Sequence, residues 1–498
     1  MRLRSIMGKR RQKAALIVCA LLLALLLWAV LRPGAAQAGL RARKAAEGLD
    51  RYDFQLIFRP ESSELSIGMT LSFTNRTGDT LNDLTLRTWA GAYEKEETSP
   101  AAIDALFAVC YPQGFSAASL TPEGAWWNGT LREARFTDAA HTVLTVPIDP
   151  LAPGESGRLE LRCLLHIPAC AHRLGVSQGI WQFGNALPIL AVYENHGWRT
   201  DPYSPIGDPF ISACANYAVE LTVPAGYACA STGRCLLDRQ DADSWHYTID
   251  APAARDFAFA LSQGWQTAAA SQNGIQIYAY APTRACASRA AKDAAQALRV
   301  YQKLYGDYPY AALTLCAVDF PFGGMEYPGL MFVGLAYCED DLADTLELVI
   351  AHETAHQWFY ALVGSDQVSQ PWQDEALCEY AMLRYVREIY GQSAYQNLVI
   401  TRVTAPMRER IAQPLTPATP IADFGSLDAY TSVVYGRGAA FLLAVEEMTG
   451  RLDAFLRSYC DAFAFSMASR QDFERLLNAV TGEDLTPLAL DYLDTLMQ

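Results

Sequence analysis

Positive charge, histidine and cysteine are all scarce in this chain. Lys and Arg number 39 against 54 Asp and Glu, a formal net charge of −15 over 498 residues. So acidic a chain lacks the basic patch or stripe that marks a nucleic-acid binder, and no nucleic-acid partner is expected. Twelve Cys at this length are too few for a disulfide framework of the small secreted kind. There are seven His, and none follows His356. No internal repeat and no low-complexity tract beyond Ala richness is visible, which excludes solenoids and other repeat arrays. Apolar residues are not scarce: 51% of the chain is hydrophobic and 11% aromatic, enough for a sizeable core. The length alone suggests about three domains.

The charge is unevenly placed. Residues 1–44 carry ten Lys/Arg and no acid, leaving 29 basic and 54 acidic side chains in the other 454, a net of −25. Arg2, Arg4, Lys9, Arg10, Arg11 and Lys13 precede the one long apolar run, residues 14–31. As a helix it rises about 27 Å, close to the hydrocarbon thickness of a bilayer. It is longer than the usual apolar stretch of a cleaved signal peptide, so a transmembrane signal anchor is the favoured expectation. Ala36-Gln37-Ala38 resembles a small-x-small cleavage site and keeps a secreted form open. In both cases the cations stay cytoplasmic and the body is exported. Export permits disulfides such as Cys163 with Cys170 or Cys229 with Cys235, although sequence does not assign connectivity, and buried thiols are the plainer expectation. Asn75-Arg76-Thr77 and Asn128-Gly129-Thr130 fit glycosylation acceptors for a glycosylating host.

After a linker, the hydrophobic period is two. Leu65, Ile67, Met69, Leu71 and Phe73 alternate with small or polar residues, as do Leu159, Leu161, Cys163 and Leu165, and Tyr217, Val219, Leu221 and Val223. These are half-buried strands, and residues 48–265 are expected to form a β-rich domain. The period then changes. Residues 285–305 are Ala-rich with spaced Leu298, Tyr301 and Leu304 and stop at Gly306, a helix with a C-terminal Gly. Residues 314–319 and 330–335 read as extended, 341–363 as one long helix, and 375–390 as another stopped by Gly391. Residues 437–498 look largely helical, with Ser469 as an N-cap and Gly482 as a stop.

The chemistry gathers at His352-Glu353-Thr354-Ala355-His356. Two His at i and i+4 share one helical face, so both imidazoles can reach one metal at about 2.0–2.1 Å. Glu353, on the flank of that face, can take a proton from water without being a ligand. With so few His, chance predicts roughly 0.005 occurrences of this pattern per chain. Since no His follows His356, a catalytic zinc would take a carboxylate as its third ligand. Eighteen residues on, Asp374 and Glu375 open the next helix; Glu375 is favoured, though spacing alone does not choose. Glu379, one turn further, is expected beside the site or on a solvated face. An oxyanion donor is also needed, and Tyr435, set among small residues, is the candidate.

These residues resemble the M1 zinc aminopeptidases, the gluzincin group that includes membrane alanyl aminopeptidase and leukotriene-A4 hydrolase. His352 to Glu375 fits the family's H-E-x-x-H-x18-E pattern. Trp372-Gln373-Asp374-Glu375-Ala376 resembles its W-x-N-E-G segment and fixes the register on Glu375. Gly323-Gly324-Met325-Glu326-Tyr327-Pro328 resembles its G-A/G-M-E-N element, and Tyr435-Gly436-Arg437-Gly438 its Y-x-K-G element. The resemblance implies a multidomain α+β fold: an N-terminal antiparallel β domain (48–265), a thermolysin-like catalytic domain (266–440) and a short helical tail (441–498), behind a basic N-terminus, anchor and linker (1–47). It implies one Zn²⁺ held by His352, His356 and Glu375, with Glu353 as general base and Tyr435 as oxyanion donor. Glu326 would pair with the α-ammonium of a peptide, and the Gly323-Gly324-Met325 backbone would align that peptide. The family's second amine-binding residue has no clear counterpart; Glu194 and Gln182 are candidates. Tyr327 stands where the family has Asn. The large C-terminal domain of many members has no counterpart, which implies a more open site, or one covered by a partner or second copy.

The expected function is removal of N-terminal residues from peptides with a free amino terminus. Two alternatives stay open: an endopeptidase or epoxide-hydrolase-like activity on the same zinc site, and a non-catalytic membrane-anchored binding or sensor module. An intact Glu353 speaks against the last, since binding alone needs no general base.

Overall fold

The computed structural model describes residues 39–101, 103, 106–408 and 414–496. The apolar run at 14–31 and Cys19 lie outside them. Among the described residues no helix is long and apolar enough to cross a membrane. The architecture is multidomain α+β, with β sheets in the N-terminal half and a largely helical C-terminal part.

An eight-stranded sheet forms the backbone of the first half, with Arg51–Arg59 between Glu64–Thr74 and Ala215–Pro224 near its centre. The alternating residues turn inward as their period requires. Leu65, Ile67, Met69 and Leu71 are enclosed, as are Leu159, Leu161, Cys163 and Leu165. Arg51–Arg59 pairs antiparallel with Glu64–Thr74 but parallel with Ala215–Pro224, so the chain crosses over between them. Two four-stranded sheets cover the inner face; one of them carries Ile180–Phe183 beside Phe259–Ser262.

A five-stranded mixed sheet begins at Gln266–Gln272. Ala312–Val318 and Leu330–Gly334 lie parallel in it and are buried throughout, the continuous apolar kind of strand expected inside an α/β layer. The short strand Gly324–Met325 pairs antiparallel with Leu330–Gly334 and forms one edge of this sheet. Against the sheet packs the helix Arg284–Tyr305, capped by the Thr283 hydroxyl and ended at Gly306, whose φ of 99° only Gly adopts freely. The helices Ala343–Ala355 and Trp372–Val399 complete the layer.

Two helix ends differ from the sequence expectation. The helix expected over 341–363 starts as a 3-10 turn at Asp340–Leu342 and stops at Ala355. Trp358, Phe359, Tyr360, Ala361 and Leu362 then run as tight turns through the core, leading into Val363–Gly364. All are enclosed, so their apolar run carries no face from which a period can be read. The next helix begins at Trp372 and is broken, not ended, at Gly391 (φ 84°). Further on, Ser469 and Asp472 form a capping box, and Gly482 ends that helix in the left-handed conformation.

The one disulfide among the described residues joins Cys286 to Cys338. Cys163, Cys170, Cys229 and Cys235 are free thiols, so neither pairing suggested by proximity in sequence forms. The bridge ties the first turn of Arg284–Tyr305 to the turn leading into the His352 helix, across 52 residues. Replacing both Cys by Ser is expected to lower unfolding free energy by about 2–4 kcal/mol through chain entropy, read by denaturant titration. An unchanged midpoint would show that the bridge adds nothing. Asn75 is no glycan acceptor in this fold. It is fully enclosed, and its amide donates to the carbonyls of Asp79 and Leu151 at 2.8 and 2.9 Å. Asn128 lies exposed at a hairpin turn.

Candidate active site

A cleft of about 360 Å³ opens where the β-rich half meets the helical layer. His352 and His356, in the last turn of Ala343–Ala355 and at its C-cap, point into it beside Glu375 from the first turn of Trp372–Val399. The His352 Nε2 lies 3.2 Å from Glu375 Oε2 and 3.2 Å from His356 Nε2, and the latter lies 3.5 Å from the same Glu375 oxygen. Ligand bonds of about 2.0–2.1 Å in a tetrahedron place neighbouring ligand atoms about 3.3–3.4 Å apart. The three atoms therefore form one face of a zinc tetrahedron, and these residues fit the ion.

Each of the remaining ring nitrogens faces a carboxylate. Asp374 is not on that face. Its Oδ1 lies 2.9 Å from His356 Nδ1, and its other oxygen accepts from the Gln367 amide. This separates Asp374 from Glu375, which spacing had left together. Behind His352, Nδ1 lies 3.6 Å from Glu379 Oε2. Glu379 is completely buried and accepts two bonds from Arg402, at 2.9 Å each. Burial works against the charge on His352, but the Glu375 and Glu379 carboxylates outweigh it and hold the imidazole up to about 9. Burial would raise Glu375, yet both imidazoles hold it well below the usual range. Carboxylates that orient ligating imidazoles typically carry 10–100-fold in metal affinity. Asp374→Ala is therefore expected to weaken zinc binding by roughly that factor, measured by competition with a chromophoric chelator.

Glu353 projects into the cleft against Gly324, where a Cβ would sit 2.4 Å from its Oε1. A side chain at position 324 would therefore push the carboxylate aside. Burial pushes the Glu353 carboxyl up to about 7, while His352 and His356 pull it down. Tyr435 stacks on His352 with ring centroids 5.7 Å apart and lines the cleft. It sits in a π-helical turn, Thr431–Arg437, a winding often found at functional sites. The following helix presses close to the Glu375 helix: a Cβ on Gly438 would lie 2.7 Å from that of Ala376. The contact fixes Tyr435 relative to Glu375.

Glu326 enters the cleft from the other wall. It is 4% exposed, and its Oε1 has no hydrogen-bond partner among the described residues. Burial pushes its carboxyl well above the ordinary range. Gly323 and Gly324 line the same wall, and Gly323 takes a φ of 94° where the chain turns onto the edge strand. Met325 is buried with its backbone in that strand.

Residues 289–492 match the family model described as "Peptidase family M1 domain". Over those residues the chain is similar to the M1 peptidases. Over 186 residues it is 31% identical to rat aminopeptidase B, covering 34% of this chain and 28% of that one. Over 191 residues it is 28% identical to leukotriene A-4 hydrolase of Xenopus laevis, 36% of this chain and 31% of that one. The aligned stretch thus spans under a third of either relative. Among solved structures, an M1 zinc metallopeptidase of Deinococcus radiodurans superposes with a TM-score of 0.67 at 19% identity, over 90% of this chain and 95% of that one. Another structure of that metallopeptidase holds a Tyr-Ser-Ala substrate.

Several residues around the cleft carry no signal in the sequence. Arg173 and Asp208 pair at 2.5 Å on the cleft wall, both from loops of the β-rich half with no spacing signal. Tyr430 and Arg402 also line it. Glu194 and Gln182 do not. Glu194 pairs with Arg199 on a small hairpin, and the Gln182 amide donates to the Asp319 carbonyl at 3.1 Å.

Proposed function

We propose that this chain is a zinc-dependent aminopeptidase whose catalytic part, thermolysin-like in layout, binds peptides by their free amino terminus. One observation carries the reading. Glu326 presents a buried, unpartnered carboxylate oxygen to the same cleft that converges His352, His356, Glu375 and Glu353. A buried carboxylate with an open acceptor is costly unless a cation or donor meets it, and a peptide's α-ammonium supplies both.

The roles follow from placement. His352, His356 and Glu375 would hold Zn²⁺, which as a Lewis acid polarises a carbonyl and makes water more acidic. Glu353 takes a proton from the attacking water and returns it to the leaving amine. Tyr435 donates its phenolic hydrogen to the developing oxyanion. The edge strand Gly324–Met325, with Gly323 at its start, pairs with the substrate backbone as an added strand. Glu326 sets the amino terminus beside the scissile bond, so cleavage releases one residue.

Aminoacyl-arylamides with free and N-acetylated amines test this. The free amine is expected to be cleaved at least roughly 100-fold faster in kcat/KM, since the blocked form loses a charged hydrogen bond and buries Glu326 unpaired. Equal cleavage of both would sink the reading in favour of an endopeptidase.

We propose further that the basic head and apolar run anchor the body outside the cytoplasm. The Cys286–Cys338 bridge supports an oxidising compartment. On fractionation of the native host the chain should stay with membranes through alkaline washing; recovery in the soluble cytoplasmic fraction would contradict this.

A further inference from the structure

Among the described residues Glu326 Oε1 meets no hydrogen-bond partner, so none of them fixes that oxygen's place. Its position is set by the backbone on either side. Both neighbours are held by the β-rich half of the molecule. On one side, Arg173 directs its Nε to the Met325 sulfur at 3.2 Å. On the other stands Tyr327, where the resembled family has Asn. The Tyr327 phenol is completely buried and donates to Asn185 Oδ1 at 3.1 Å. The Asn185 amide in turn donates to Asp256 Oδ2 at 2.6 Å, and the other Asp256 oxygen accepts from the Phe257 N–H at 2.6 Å. Asn185 and Asp256 are 4% and 2% exposed.

The surroundings are shaped for this phenol. Asn185 has a φ of 53°, a conformation Asn tolerates better than most residues. A Cβ on Gly184 would fall 1.9 Å from the Tyr327 oxygen, so only Gly lets the phenol reach across. The Tyr327 carbonyl is held as well, accepting from the Gln357 amide at 3.2 Å, while Gln357 Oε1 receives the Gly329 N–H at 2.8 Å. Gln357 follows His356 directly, so the same loop is tied to the zinc-ligand segment on one side and to the β-rich half on the other.

We propose that Tyr327 is a positioning residue for amine recognition: through Asn185 and Asp256 it anchors the Glu326 loop to the β-rich half and sets the distance from Glu326 to the metal ligands. The proposal rests on Glu326 as the amine-binding residue. A buried chain of hydrogen bonds of this kind is rigid only when complete, and a misplacement near 1 Å is enough to disable a recognition group.

The test compares an α-amino hydroxamate with its des-amino counterpart, each binding the zinc-loaded protein, by calorimetry. The ratio of their dissociation constants reports amine recognition alone. Tyr327→Phe is expected to cut that preference about 5–10-fold, the worth of one buried hydrogen bond and the displacement it restrains, while des-amino affinity stays within about twofold. Asn185→Ala should do the same, and the double variant should lose no more than either alone. Tyr247→Phe, which removes a hydroxyl that donates to the Tyr227 carbonyl at 2.8 Å and does not line the cleft, should leave the preference unchanged. An unchanged preference in Tyr327→Phe would overturn the proposal, as would equal weakening of both ligands. Full preference in Glu326→Gln would overturn instead the reading of Glu326.

Discussion

Glu353→Gln lowers kcat roughly 10³–10⁴-fold on a free-amine arylamide and leaves one zinc per chain in place. The size follows from the role. The substitution keeps the side chain's shape, which matters because it packs against Gly324 with no room to spare. It removes only the ability to take a proton from water and hand it to the amine. Metal content should survive because the zinc face is built from His352, His356 and Glu375. KM should move little, since the groups that hold the peptide are elsewhere. Full activity in this variant would remove the general base from the account. Loss of metal along with activity would place Glu353 among the ligands.

Glu375→Ala is expected to do the reverse: activity falls below detection because zinc is no longer retained through desalting. The Glu375 carboxylate supplies one of three converging atoms and is 4% exposed, so water replaces it poorly. Its loss also leaves two buried imidazoles facing each other at 3.2 Å with no negative partner between them. The affinity drop should exceed the roughly 10–100-fold expected of Asp374→Ala, which removes only an orienting partner of His356. Metal analysis after gel filtration separates the cases. Glu353→Gln keeps about one zinc, Glu375→Ala keeps none, and Asp374→Ala falls between according to free zinc. A Glu375→Ala protein that held zinc tightly would move the third ligand elsewhere.

Much of this was legible in the chain because the signals are local. Strands such as Glu64–Thr74 carry a strict alternation that survives into burial. The i, i+4 spacing of His352 and His356 places both rings on one face before any tertiary structure is known. Where the chain is buried on all sides, the local signal vanishes, and the helix end at Ala355 could not be read from Trp358, Phe359 and Leu362. Tertiary pairings leave no spacing at all. Arg173 with Asp208, Arg402 with Glu379, Tyr327 with Asn185 and Cys286 with Cys338 join residues 23 to 142 positions apart. Asp374 and Glu375 show the limit most plainly. Adjacent in sequence, they end up on opposite ring nitrogens of His356, a distinction only side-chain direction makes.

The central claim, zinc-dependent removal of residues from a free amino terminus, is tested most directly by titrating the metal-free chain with Zn²⁺ while following a free-amine arylamide and its N-acetyl counterpart together. Activity on the free amine should rise linearly and level off at one zinc per chain, with the blocked substrate near background throughout. Full turnover without metal, or equal turnover of the two substrates at one equivalent, would contradict it.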